Sequence, residues 1–129
     1  MYKINQKSLY HLAVLIGIGI MTLESCAGPS ESNVQTIQVV NFNLEGLTHD
    51  DFMGVANEVA PNFATLSGLM TKVWLSDEGN NTYGGVYSWE NEESCKAYRS
   101  GELYAGALAN NPNFVNLSDD GFSVLDGPS

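Results

Sequence analysis

Five side chains that join a large aromatic body to a hydrogen-bond donor, Trp74, Tyr83, Tyr87, Trp89 and Tyr98, lie close together in the chain. Four of them fall within the single stretch "TKVWLSDEGNNTYGGVYSW", residues 71–89. An indole N–H or a phenol O–H can donate to a phenolate or an enolate. Held in a dry cavity, such donors suit a substrate that carries negative charge as it reacts. Asn41 or Asn43, near the end of the run "VQTIQVVNFNL", would add another donor. The competing reading is packing alone, because strands and subunit contacts favour large aromatics with polar tips.

Other chemistries find no residues to carry them. His49 precedes a helical pattern with no nucleophile beside it and reads as a solvent-facing turn residue. His11 belongs to the leader described below. One histidine and one thiol, Cys95, do not make a zinc site of usual composition, and Cys95 reads as a small core residue on a helix face. No carboxylate cluster has calcium-loop spacing, and there is no Ser–His–Asp arrangement, phosphate loop or dinucleotide fingerprint.

The elements that must position the aromatics follow from periodicity. "VQTIQVVNFNL" (Val34 to Leu44) reads as a strand with Ile37 and Val39 on one face and Val40 and Phe42 on the other. Thr48 caps an amphipathic helix whose apolar side is Phe52, Val55, Ala56, Val59 and Ala60; Pro61 helps to end it, although "PNF" could run on. "GLMTKVWLS" and "TYGGVYSW" form a hairpin around "DEGNN", with Gly79 and the asparagines supplying positive φ.

Alternation along the second hairpin strand puts Tyr83, Tyr87 and Trp89 on one face. The register leaves Trp74 open: paired one way it lies on the opposite face, and a slip of one residue puts it among them. "NEESCKAYRSGELYAGAL" is a helix capped by Asn91 and broken near Gly101, and "VNLSDDGFSVLDG" is a last strand centred on Phe122 to Leu125 with a bulge at Gly121. The order βαββαβ predicts a ferredoxin-like α+β fold with an antiparallel sheet and helices on one face. Apolar residues on the other sheet face call for a second copy to cover it, a homodimer.

The ends of the chain bear on location. Lys3 and Lys7 precede the apolar run "LAVLIGIGIMTL", shorter than the roughly 20 residues of a spanning helix. The run ends in "LESC", which resembles the lipobox of bacterial lipoproteins, Glu24 being its departure from the pattern. That resemblance implies a signal peptide over residues 1–25, lipid on Cys26, a flexible tether over residues 26–33 and a domain over residues 34–129 held at the bacterial cell envelope. Secretion with Cys26 retained and an uncleaved anchor are the alternatives.

Without residues 1–25 the chain keeps Lys72, Lys96 and Arg99 against 14 acidic residues, a net charge of −11. Nucleic acid is excluded as a partner on that ground. With Cys26 lipidated, Cys95 is left without a disulfide partner, so the domain folds on its core alone.

"KVW" (Lys72 to Trp74), "GGVYSWEN" (Gly84 to Asn91), "AY" (Ala97, Tyr98) and "NPNFVNLSDDGFSVLDGP" occur in an order and spacing that resembles the YdhR-like monooxygenases of the dimeric α+β barrel superfamily, over about Val34 to Pro128. The resemblance implies a homodimeric barrel. It also implies kinship with oxygenases that act on quinols and polyketide aromatics without metal or flavin, hence no cofactor and a small aromatic or lipophilic substrate. Haem-degrading relatives use a histidine on the second helix, and Asn91 to Ala109 has none.

Trp74, in the motif of closest resemblance, and Tyr87 are the catalytic candidates, with Tyr83, Trp89, Tyr98 and Asn43 as pocket residues. A non-catalytic lipoprotein that binds a lipophilic molecule is the alternative reading.

Overall fold

The computed structural model describes residues 34–128. The signal-peptide, lipidation (Cys26) and tether assignments lie outside the described residues. Strand β1 (Thr36–Leu44) leads to helix α1 (His49–Phe63), and β2 (Leu69–Asp77) is joined to β3 (Thr82–Trp89) through one 3₁₀ turn. Helix α2 (Glu92–Arg99) and the short α3 (Glu102–Tyr104) follow, α3 running on as a π turn over Ala105–Ala109, and β4 (Phe114–Ser123) closes the order. The sheet order is β2-β3-β1-β4 with every neighbouring pair antiparallel, the expected ferredoxin-like α+β arrangement.

Alternation along β1 decides which face is core. Thr36, Gln38, Val40, Phe42 and Leu44 are buried, while Ile37, Val39, Asn41 and Asn43 on the open face are half-buried. Helix α1 begins with a capping box: Asp51 N–H donates to Thr48 Oγ1 at 3.1 Å, and Thr48 N–H donates to Asp51 Oδ2 at 3.0 Å. Phe52, Ala56, Ala60 and Phe63 form its buried face. Pro61 lies inside the last turn and the helix continues to Phe63, so the proline does not end it.

The hairpin settles the open question of register. Trp74 pairs with Gly85 and Lys72 with Tyr87, so Trp74 shares the helix-side face with Tyr83, Tyr87 and Trp89. Positive φ falls on Asn81, at 51°, and not on Gly79. Its side chain ties the turn to β1: Leu44 N–H donates to Asn81 Oδ1 at 3.1 Å, and Asn81 Nδ2 donates to the Leu44 carbonyl at 3.0 Å. Gly84 is required by the sheet itself, because a Cβ there would lie 1.8 Å from the Val40 carbonyl oxygen.

Two local expectations change. The last strand runs Phe114–Ser123, upstream of its expected centre, and its irregularity is at Asn116, with φ of 55°, where the pairing with Asn41 and Asn43 shifts. Gly121 stays in register opposite Gln38. Helix α2 does end before Gly101, as expected.

Candidate functional site

A cavity of about 160 Å³ lies between the helix-side face of the sheet, α1 and the π turn. Phe63 from α1, Lys72 and Trp74 from β2, Gly85 and Tyr87 from β3, and Leu108 from the π turn are among its walls. Most of the lining is apolar, so the few polar groups set its chemistry.

The first of these groups is Lys72, whose side chain the two-residue strand period sends inward beside Trp74. The residue is only 2% exposed. Its Nζ lies 3.0 Å from the centroid of the Trp74 ring, 4.6 Å from that of Phe63 and 4.8 Å from that of Tyr87. The two ion pairs among the described residues, Lys96–Glu92 and Arg99–Asp119, leave it out.

Burial pushes the Lys72 ammonium down from an ordinary 10.5 to about 6. The ring faces oppose this, but a desolvated cation–π contact is worth only about 2 kcal/mol, a factor of roughly 30, against the several powers of ten that burial removes. At neutral pH the cavity therefore holds an amine with a free lone pair.

The second group is the indole of Trp74. Its ring meets Phe63 edge-on, with centroids 5.8 Å apart at 88°. Its Nε1–H is buried and finds no acceptor among the described residues. An unpaired buried donor costs about 1–3 kcal/mol, so this N–H is available to an oxygen acceptor.

Tyr87 is the third. Its hydroxyl shares a 3.0 Å hydrogen bond with Tyr98 Oη, and burial raises both phenols well above their ordinary range, so they stay protonated. Tyr98 stands behind Tyr87, outside the cavity lining.

Of the residues that the sequence singled out, the structure brings Trp74 and Tyr87 into the cavity wall and sets the rest apart from it. Trp89 stacks on Tyr87 at 6.2 Å and spends its Nε1–H on Gln38 Oε1 at 2.9 Å. Tyr83 turns its hydroxyl to His49 Nδ1, 3.1 Å away, at the start of α1. His49 is accordingly half-buried against Tyr83 and is not the solvent-facing turn residue expected.

Asn43 is on the open face of the sheet, because strand alternation turns it away from the helices. There it donates to the Asn81 carbonyl at 2.8 Å and accepts from Asn116 Nδ2 at 2.9 Å. Asn41 shares that face. Cys95 is 1% exposed with Sγ 3.5 Å from Gln38 Oε1, and burial raises its thiol, as suits a core residue.

Behind the aromatic row a polar network fixes Gln38. Asp119 accepts from Arg99 Nη2 at 2.6 Å, Tyr104 Oη at 2.8 Å and Gln38 Nε2 at 2.9 Å, and Gln38 in turn accepts from Trp89. Burial alone would raise the Asp119 carboxyl, but the hydrogen bonds from Arg99, Tyr104 and Gln38 outweigh it and hold the group below its ordinary value. Tyr104 is pushed up to about 12, by burial and then by its bond to Asp119.

Sequence reasoning missed Lys72 as a site residue, counting it among the cations and in the "KVW" motif without a role of its own. The missed signal was spacing: two residues before Trp74, it must share that residue's face. Among the described residues no group of three His, Cys, Asp or Glu side chains could hold a metal, and no helix is long and apolar enough to cross a membrane.

The family model described as "Putative mono-oxygenase ydhR" matches residues 37–129. No curated protein matches the chain. Solved structures share the fold at low identity. A protein of unknown function from Nitrosomonas europaea, NE2512, superposes with a TM-score of 0.61 at 15% identity, over 74% of this chain and 94% of its own.

A monooxygenase from Streptomyces coelicolor, from the gene ActVA-Orf6 and in complex with nanaomycin D, gives 0.58 at 18% identity, over 80% and 100%. SnoaB, a cofactor-independent oxygenase from Streptomyces nogalater, gives 0.57 at 17% identity, over 70% and 92%.

Proposed function

The chain belongs to the ydhR mono-oxygenase family, and from that premise we propose that it oxidises an electron-rich, phenol- or quinol-like aromatic compound with O₂ in the cavity between the sheet and α1. The observation that carries this reading is the Lys72 amine, buried without an acidic partner against the ring of Trp74.

The chemistry needs a base, a dry aromatic slot and a donor for the substrate anion. Lys72 takes the phenolic proton and becomes an ammonium over the Trp74 face, where it pairs with the phenolate. The phenolate reduces O₂ by one electron, and the two radicals join at the ring carbon para to the oxygen. The O–O bond then breaks as the Lys72 ammonium and the ring C–H supply the protons of the departing water. One oxygen atom stays as the quinone oxygen and the other leaves in water, so a phenol and O₂ give a quinone and H₂O. Trp74 Nε1–H is the free donor for the substrate oxygen, and Tyr87, kept protonated, walls the slot.

Two further parts of the proposal concern assembly and place. A second copy covers the open sheet face, where Ile37, Val39, Val73, Leu75 and Val86 are half-buried in the single chain. A lipid on Cys26 holds the domain at the bacterial cell envelope, a reading supported by the "LESC" motif behind its apolar run.

Oxygen uptake with 1-naphthol, whose ring carbon para to the hydroxyl carries a hydrogen, with the product followed by mass spectrometry in ¹⁸O₂, tests the reaction. Turnover that places one ¹⁸O atom in the product, and that falls at least ~100-fold in Lys72→Met, is the expected result. Stoichiometric binding of the same compounds without conversion would instead leave a ligand-binding domain.

A further inference from the structure

We propose that Lys72 also acts as a nucleophile, capturing an aromatic aldehyde or ketone as an imine inside the cavity. The inference uses the cavity described above and is independent of the oxygen chemistry assigned to it.

Three observations converge on a carbonyl ligand. The first is the amine itself, packed among Phe63, Trp74 and Tyr87 with no carboxylate in ion-pair contact, so that burial leaves its lone pair free to attack. The second is the buried Trp74 Nε1–H without an acceptor in the same wall, a donor suited to a carbonyl or carbinolamine oxygen. The third is the cavity that Lys72 and Gly85 both line, where the glycine spares the nitrogen a crowding contact, since a Cβ at that position would come within 3.1 Å of Lys72 Nζ. The aromatic walls select a carbonyl carried on a ring, and a cavity of about 160 Å³ restricts that ring system to a small one.

The step is balanced without an external oxidant or reductant. The Nζ lone pair forms a bond to the carbonyl carbon, whose π electrons move to oxygen, and a proton passes from nitrogen to that oxygen to give the carbinolamine. Loss of the second N–H proton with the hydroxyl then releases one water and leaves the C=N bond. The apolar lining disfavours the returning water and so favours the imine.

The test is reductive trapping of the whole chain with benzaldehyde and cyanoborohydride at pH 7 under argon, with peptide mapping of each lysine against time. The expected result is a benzyl group on Lys72 at least ~10-fold faster than on Lys96, whose side chain is 67% exposed and ion-paired to Glu92. Trp74→Phe keeps the ring and removes the donor, and it is expected to slow labelling of Lys72 several-fold with Lys96 unchanged. Labelling of Lys72 no faster than of Lys96 overturns the inference, and a Lys72 rate unaltered in Trp74→Phe removes the indole from it. Because oxygen is absent, failure here leaves the oxidation standing, whereas labelling without oxygen uptake in the other assay overturns the oxidation alone.

Discussion

Lys72 Nζ lies 3.0 Å from the centroid of the Trp74 ring, two residues along the same face of β2, with no acidic side chain among the described residues in ion-pair contact. Strand alternation makes the contact unavoidable once Trp74 faces the helices. A protein that needed only to fold would fill such a position with an apolar side chain, since an uncompensated buried amine is a cost to stability.

That cost is measurable. Lys72→Met keeps the length of the apolar stem and removes the amine, so the variant should be more stable than the parent by about 1–4 kcal/mol at pH 7, while losing oxidation activity. Urea unfolding alongside oxygen uptake checks both halves. A variant that is both destabilised and inactive would make Lys72 a structural residue.

The pH dependence has a definite sign. The folded-state value of Lys72 is lowered from 10.5 to about 6, so within that window the unfolded chain binds a proton that the folded chain does not. Stability therefore rises with pH between about 6 and 10, by at most about 1.4 kcal/mol per pH unit from this group. The difference between parent and Lys72→Met, measured at pH 6, 7.5 and 9 (about one and a half units apart), should shrink as pH rises. A difference that stays constant with pH would mean that Lys72 titrates normally.

Asp119 carries the opposite dependence. Its folded-state value is depressed by the hydrogen bonds from Arg99, Tyr104 and Gln38, so its contribution is present above the ordinary carboxylate value of 3.8 and is lost as pH falls below it. Asp119→Asn should cost about 2–3 kcal/mol at pH 7 and flatten the acid limb of the stability curve. It should also alter Trp89 fluorescence, because Gln38 links Asp119 to the Trp89 indole N–H. Unchanged fluorescence in a folded variant would show that Gln38 holds Trp89 without help from Asp119.

Much of this arrangement was legible in the sequence because it rests on local rules. The N-cap at Thr48, the hairpin and the break at Gly101 all follow from side chains that act within a few residues of themselves. What the sequence left open was long-range. Whether Trp74 faced the helices depended on pairing with Gly85, and Asn43 was misjudged as a pocket residue because its face is set by β1's place in the sheet. Tyr83 and His49 met only through the packing of α1 on β3. Lys72 was overlooked because a lysine is expected to reach water, and here strand register denies it that route.

Two glycines separate backbone need from local preference. A Cβ at Gly84 would lie 1.8 Å from the Val40 carbonyl oxygen, so Gly84→Ala must push β3 from β1 in the middle of the sheet and should cost about 3 kcal/mol or more. A Cβ at Gly106, in the π turn, meets nothing within 4 Å, so Gly106→Ala should be neutral or stabilising by up to about 1 kcal/mol. Thermal unfolding of the pair checks this, and equal effects would remove the close approach of β1 and β3 as the reason for Gly84.

The open face of the sheet makes the last prediction. Val39 pairs with Val86 across β1 and β3, and Val73 pairs with Val86 across β2 and β3, so these three side chains form an apolar row at the centre of the uncovered face. Sheet faces of that kind are stable in water only when packed against another layer, and the helices among the described residues lie on the other side. In the homodimer we propose, a second copy supplies the missing layer with a self-complementary surface. Sedimentation of the soluble domain should give a dimer at micromolar concentration, and Val39→Glu, which forces a carboxylate into the centre of the row, should give a folded monomer. If the parent domain sediments as a monomer under the same conditions, the row is covered by something other than a second copy.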